Sequence, residues 1–361
     1  MRVAIRVDAS RAIGTGHVRR CLALAEALRR SGAQVRFVSR DHGLDVAATI
    51  APAGFDVAML PPPPADFAGD PAVPHGAWAG VAAEQDVAET VAAVRTFAPN
   101  WVVIDHYGFD ARWHDGVRNR LRCRVAAIDD VADRGFACDL LIDHNHARDH
   151  RAKYRSVLPA SADLLGGPHY ALLGPAFADA PRYAFREAVG SIGIFMGGVD
   201  LPNTSLAVLE GVEAAGFGGP VEIVATSANP NLPTLHEAAA RRPATRITTD
   251  LQDLAAFFAR HDLQVGAGGG ASWERCCIGV PTLLLVIADN QLAVAPDLAA
   301  DGIAALVEPP QSCDPHDIGR AVAALIDDPA RRAELARRAR ALVDGRGAAR
   351  VAARMMEEAH A

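Results

Sequence analysis

His17 is the residue most ready to do chemistry in this chain. It follows Gly14 and Gly16 within IRVDASRAIGTGHVRRCLAL, where a short apolar strand ending at Asp8 gives way to a glycine loop and then a helix. Val18, Cys21, Leu22, Ala25 and Leu28 recur at helical spacing and form one apolar face. Glycines ahead of a helix let the backbone approach a ligand closely, and the first-turn N–H groups favour an anion. A histidine there feels the positive end of the helix dipole, which favours neutral imidazole, the form a general base needs. Taken alone, G-x-G-H reads equally as a polar surface residue beside a tight turn. The remainder of the chain supplies a matching set of groups.

Predicted strands in the same half end in aspartate: Asp8, Asp105 of WVVID, Asp129 and Asp130 of VAAIDD, and Asp143 of LLIDHN. Ligands of open α/β sheets sit beyond the carboxyl ends of the strands, so these carboxylates could converge on the hydroxyl and amide groups of a sugar. Each could instead cap the turn or helix that follows it. About half are expected to do so, because crowded carboxylates repel unless paired. Tyr107, Asn145, His106 and His144 share the same loops. Asp143 to His146 are consecutive, a poor geometry for one ion on an extended loop, so no metal is expected.

The second half carries its own signal, GAGGGASWE, in which a strand leads into Gly268 and Gly269 and then a helix with Ser272 and Glu274 in its first turn. It is neither G-x-G-x-x-G nor a P-loop, since no G-K-[ST] follows. Its glycines let the backbone press against a base or phosphate. Glu274 is placed either to accept both hydroxyls of a ribose or to complement the helix dipole. Gly197 and Gly198, after another strand, offer N–H groups for a diphosphate.

Alternating elements must position these groups. Strands at 34–39, 55–59, 101–105, 124–128 and 139–143 interleave with helices at 44–51, 79–98 and 110–121, the pattern of a parallel sheet with helices on both faces. The proline-rich passage 61–74 reads as a surface loop or a lid. Periodicity weakens over 150–190, where LLGGPHYALLGPAF suits a loop crossing the mouth of the sheet and 179–190 a linker. The pattern then restarts, with strands at 191–196, 221–225, 245–248, 264–266, 283–286 and 303–307 and helices at 204–215, 232–241, 251–260 and 290–300. The expected organisation is a first domain over 1–180, a second over 190–345, and a terminal helix, 346–361, packing back on the first.

At 361 residues the chain suits two domains, and half its residues are apolar while 22% are charged, so it has ample material for cores. A formal net charge of -7 argues against nucleic-acid binding. No apolar run reaches the roughly 18 residues of a membrane span. Arg2, Arg6 and Asp8 interrupt the N-terminus, unlike a signal peptide, and six cysteines without C-x-x-C pairs fit reduced thiols in the cytoplasm.

IRVDASRAIGTGHVRRCLALAEAL, WVVIDHYGFD, AAIDDVADRGFACDLLIDHN, FMGGVD and GAGGGASWERCCIGVPTLLL, in this order, resemble the UDP-2,4-diacetamido-2,4,6-trideoxy-β-L-altropyranose hydrolases of pseudaminic acid biosynthesis. These are related to GT-B nucleotide-sugar enzymes such as the MurG-type glycosyltransferases. The resemblance implies an α/β, GT-B-like fold of two doubly wound Rossmann-like domains facing a cleft. It implies metal-independent hydrolysis at the anomeric carbon with inversion, releasing UDP and the free sugar, without a cofactor, in a route connected with flagellin glycosylation. His17 would be catalytic, with Asp8, Gly14, Gly16, Arg20, Tyr107 and Asn145 at the sugar. Gly197, Gly198, Gly268, Gly269, Ser272, Glu274, Asn290 and Gln291 would hold the nucleotide. The UDP-sugar would be its partner, with no nucleic acid or membrane, and the chain a monomer or weak homodimer. The 61–74 passage departs from the family pattern. Two other readings stand beside this one: a GT-B glycosyltransferase using a UDP-sugar donor, and a non-catalytic UDP-sugar-binding protein.

Overall fold

The computed structural model describes residues 1–252 and 254–358. The chain divides into two compact units, Met1–Pro175 together with the residues from Arg346 onward, and Ala176–Gly345.

The first unit is built on seven parallel strands: β1 (Arg2–Val7), β2 (Gln34–Arg40), β3 (Asp56–Leu60), β4 (Trp101–Asp105), β5 (Arg124–Ile128), β6 (Leu140–Asp143) and β7 (Asp163–Gly166). Their order is β3-β2-β1-β4-β5-β6-β7. The direction of winding reverses between β1 and β4, whose register pairs Val7 with Asp105. Such a switch point is where doubly wound sheets bind ligands. The central strands are apolar without alternation because both faces are covered, and Trp101, Val102, Val103 and Ile104 are all buried. One covering layer is the Gly16–Arg30 helix, whose Val18, Cys21, Leu24, Ala25 and Leu28 share a core with Val351, Ala352 and Met355 of the Gly347–Glu358 helix. The helices Ala83–Val94 and Ala111–Leu121 cover the opposite face through Val87, Val91, Trp113 and Val117.

The second unit repeats the plan with six parallel strands: β8 (Ile192–Phe195), β9 (Val221–Ala225), β10 (Thr245–Thr249), β11 (Leu263–Ala267), β12 (Thr282–Leu285) and β13 (Ala305–Leu306). The order is β10-β9-β8-β11-β12-β13, so the reversal falls between β8 and β11. Among the described residues no helix is long and apolar enough to cross a membrane. All six cysteines are free, and five of them are buried.

The sequence expectations need correction in four places. Residues 163–166 are not a loop over the mouth of the sheet but its edge strand, β7, paired with β6. A run of four half-buried residues followed by glycine and proline is too short to show a period. The helix expected over 44–51 is a single turn, Ala47–Ile50, continued by a 3-10 turn at Ala51–Ala53 that contains Pro52. The helix expected over 79–98 spans only Ala83–Val94, preceded by a 3-10 turn at Gly76–Ala79. The helix expected over 290–300 is a 3-10 turn at Asp289–Gln291 and a separate helix at Ala295–Ala300.

Candidate functional site

In the first unit the chemistry collects at the switch point. Gly14 takes a left-handed conformation, φ +77°, and its N–H closes on the Ser10 carbonyl at 2.8 Å, turning the chain from β1 into the helix. Thr15 at the N-cap gives the helix no side-chain hydrogen bond. His17 therefore opens the helix directly beyond β1, next to the end of β4. Its Nδ1 lies 2.6 Å from Asp105 Oδ1, and the histidine side chain is 10% exposed while Asp105 is fully buried. A carboxylate only accepts, so Nδ1 carries the hydrogen of this contact, and in the neutral ring Nε2 is the nitrogen left as acceptor.

Asp105 is held from the other side by Arg20, one turn along the helix, whose Nε and Nη2 each lie 2.6 Å from a different carboxylate oxygen. Burial alone would raise the Asp105 carboxyl, but Arg20 and His17 overcome it and keep the group far below the usual carboxylate range. Arg20 also reaches Asp130 at 3.5 Å. Asp130 in turn accepts from the Tyr107 hydroxyl and, at 2.9 Å, from Asn145 Nδ2. Burial and the neighbouring Asp130 push the Tyr107 hydroxyl well up, so it stays protonated and donates. His17, Arg20, Tyr107 and Asn145, singled out from sequence, are thus brought together through Asp105 and Asp130.

Two aromatic rings wall His17. Tyr107 meets it edge-on at 4.9 Å between centroids, and Trp78 does so at 6.3 Å. Trp78 stacks on Tyr107 at 5.6 Å and is itself half-buried. It sits in the 3-10 turn that follows the proline-rich passage, a segment in which no periodicity marks it.

The remaining strand-end aspartates have other work. Asp8 is fully buried. It pairs with Arg6, accepts from the Arg40 backbone N–H at 2.7 Å, and faces Nε2 of His42 and His106 at 3.4 and 3.3 Å. Asp129 caps the turn after β5 through Val131 and Ala132 N–H, at 3.1 and 2.8 Å, and pairs with Arg134 at 2.8 Å. Asp143 accepts from Asn145 N–H and pairs with Lys153 at 2.7 Å, yet burial still raises its carboxyl. His144 is buried beside Arg20 and pushed down to about 4, first by burial and then by that charge.

In the second unit the glycine turns also flank a switch point. Gly197, φ +95°, and Gly198 follow β8, and the Gly198 carbonyl accepts from the Thr226 hydroxyl at 2.6 Å. Gly268 to Gly270 follow β11 and lead into the Ala271–Ile278 helix, with Ser272 buried and Glu274 half-buried in its first turn. Gln291 packs against this turn: a Cβ built on Gly268 would stand 3.5 Å from its Cβ and one on Gly269 3.7 Å from its Nε2. Gln291 Oε1 accepts from Ile287 N–H at 3.0 Å, while the neighbouring Asn290 is exposed. Asp200 caps the Thr204–Ala214 helix through Thr204 and Ser205 N–H, both at 2.8 Å. The sequence-derived glycines, Ser272, Glu274 and Gln291 thus gather at the carboxyl ends of neighbouring strands. Among the described residues no group of three or more His, Cys, Asp or Glu side chains is arranged to hold a metal ion.

Sequence reasoning missed the partnership of Asp105 with His17, the anchoring role of Asp130, and Trp78. The strand-end position was the available signal for the two aspartates. Trp78 offered none.

No family model matches the chain. It is 26% identical over 202 residues to the spore coat polysaccharide biosynthesis protein SpsG of Bacillus subtilis, a match covering 55% of this chain and 60% of that protein's length. It is 23% identical over 256 residues to the UDP-2,4-diacetamido-2,4,6-trideoxy-β-L-altropyranose hydrolase of Campylobacter jejuni, covering 71% and 80% respectively. Among solved structures, MurG of Acinetobacter baumannii superposes with a TM-score of 0.67 at 17% identity, over 99% of both chains. The MnaA–UDP co-structure from S. aureus does so with a TM-score of 0.67 at 10% identity, over 99% of this chain and 97% of that one. The chain has the fold of the GT-B glycosyltransferases.

Proposed function

We propose that this chain hydrolyses a UDP-2,4-diacetamido-2,4,6-trideoxy sugar at its anomeric carbon, with inversion, releasing UDP and the free sugar. The observation that carries the reading is the Asp105–His17 pair, a buried carboxylate fixing the tautomer that leaves Nε2 as a base. Similarity to the C. jejuni hydrolase supports this choice of substrate class. In the proposed step a water oxygen attacks C1 while Nε2 takes its proton, and the C1–O bond to the diphosphate breaks, with the electron pair leaving on UDP. UDP is already a good leaving group, so the protein mostly positions water and steadies an oxocarbenium-like state. Backbone N–H groups at Gly197–Gly198 and Gly269–Gly270, with Glu274 on the ribose, hold the nucleotide. Asn145 and Tyr107, anchored on Asp130, meet the sugar's polar groups, and Trp78 offers its ring to an apolar face.

The fold is equally that of glycosyltransferases, which pass the sugar to an acceptor, and one experiment separates the two. The protein is incubated in water with candidate UDP-2,4-diacetamido-trideoxy sugars and the products are followed by NMR. Hydrolysis gives UDP and free sugar of inverted anomeric configuration at a catalytic rate without an acceptor. UDP release that begins only when an acceptor is added would make the chain a transferase instead. Binding without turnover under either condition would make it a UDP-sugar-binding protein.

A further inference from the structure

Arg275 is a buried cation without a carboxylate partner among the described residues, a condition it shares with Arg332, whose guanidinium is instead met by the Leu325, Ile326 and Glu187 carbonyls. By contrast, the buried Arg6 and Arg40 of the first unit both close on Asp86, at 2.7 and 2.8 Å. Arg275 is 1% exposed, and no carboxylate among the described residues pairs with it. Its Nη2 donates to the Ala267 carbonyl at 2.6 Å and lies 3.3 Å from the Ser272 hydroxyl, while Nε and Nη1 have no hydrogen-bond partner among the described residues. Burial pushes the guanidinium down to about 10.

Its position is specific. A Cβ built on Gly266 would stand 2.3 Å from Arg275 Nη1 and 2.8 Å from the Phe195 carbonyl oxygen. The guanidinium head therefore lies across the ends of β11 and β8. Gly266 and Phe195 each stand two residues before a glycine turn, Gly268–Gly270 in one case and Gly197–Gly198 in the other. Burying a cation without a partner is expensive, and an apolar side chain of similar volume is commonly neutral or stabilising in its place. Here the unpaired cation sits beneath two turns whose backbone N–H groups already favour an anion.

We infer that Arg275 is the built-in counter-charge for the diphosphate of a nucleotide held at these two turns. The inference rests on the nucleotide reading proposed above. Arg275 is a positioning residue. It fixes the Ala267 carbonyl and Ser272 beneath the loop, and its charge acts across a short, poorly screened distance without meeting solvent. The charge matters only to a ligand that carries phosphate.

Titration calorimetry with UDP and with uridine, on the whole protein, tests this. Arg275→Gln keeps a donor for Ala267 and removes the charge; it should weaken UDP about tenfold and leave uridine unchanged. Arg275→Lys keeps the charge and should bind UDP within about threefold of wild type. Arg275→Met serves as a second neutral variant, with the same expected loss for UDP and a thermal midpoint no lower than wild type. Equal weakening of UDP and uridine would show a purely structural support of the loop and overturn the inference, as would unchanged UDP affinity in both neutral variants. A wild-type protein that binds neither compound would overturn the nucleotide reading itself, and this inference with it.

Discussion

The two units place polar groups at the same point of the same architecture and fill it with opposite chemistry. At the β1/β4 switch point of the first stand polar and charged side chains: His17 on Asp105, Arg20 bridging to Asp130, Tyr107 and Asn145 hung from Asp130. At the β8/β11 switch point of the second stand glycine turns and helix N-termini, with Ser272, Glu274 and Gln291 around them. A backbone N–H keeps its hydrogen at any physiological pH and suits a ligand of constant charge. A histidine held in one tautomer suits a bond that must form or break. The proposed function places the chemical step in the first unit and nucleotide recognition in the second.

The sharpest way to break that division is at His17. His17→Ala should lower kcat by at least ~10²-fold, the usual worth of an acid–base group, while UDP affinity by calorimetry changes little. Parallel loss of UDP affinity and turnover would move His17 onto the recognition side of the comparison. Asp105→Asn frees the imidazole to take the other tautomer and leaves Arg20 facing a neutral amide, so kcat should fall by about 10²-fold or more. Retention of near wild-type kcat would show that the pairing only supports the fold.

The complementary test is in the second unit. Glu274→Ala should weaken UDP by about 2 kcal/mol, the loss of charge-assisted hydrogen bonds to ribose, with little change in kcat at saturation. Unchanged UDP affinity would remove Glu274 from the site.

The smallest effect is on stability and belongs to the first unit alone. His114 is buried, its Nδ1 accepts from Ala137 N–H at 3.1 Å, and burial pushes it down to about 3 from a usual value of 6.5. In that window the unfolded chain binds a proton that the folded chain refuses, so stability is lost as pH falls from 6.5 toward 3. His144, pushed down to about 4, adds to the same slope. His114→Gln should flatten the decline in denaturation midpoint between pH 6.5 and 4. An unaltered slope would assign the acid sensitivity elsewhere.

What could be read from sequence follows the same division. Glycine turns are local, so 14–16, 197–198 and 268–270 announce themselves in a few letters. Buried parallel strands are apolar runs, so WVVID and VAAIDD mark both their own course and the carboxylates at their ends. The pairing of Asp105 with His17 is not local; it depends on β1 and β4 lying side by side with Val7 opposite Asp105. Trp78 reaches His17 through a proline-broken segment without a period. Arg275 lies in a run of buried residues, and its missing counter-ion is a property of neighbours from β8, β11 and the Leu254–Arg260 helix. The 150–190 region misled because β7 is four half-buried residues flanked by glycine and proline.

The Gly347–Glu358 helix has a consequence for how the protein is made. Ala348, Val351, Ala352 and Met355 lie in the core that also holds Val18, Leu24 and Leu28, so the first unit is assembled from two stretches of chain separated by the whole of the second. During synthesis the second unit has all its residues before the first does. Until the late helix arrives, the Gly16–Arg30 helix keeps an apolar flank uncovered. A chain stopped at Gly345 would carry His17, Asp105 and every glycine turn, yet it would hold His17 on a helix lacking one of its walls.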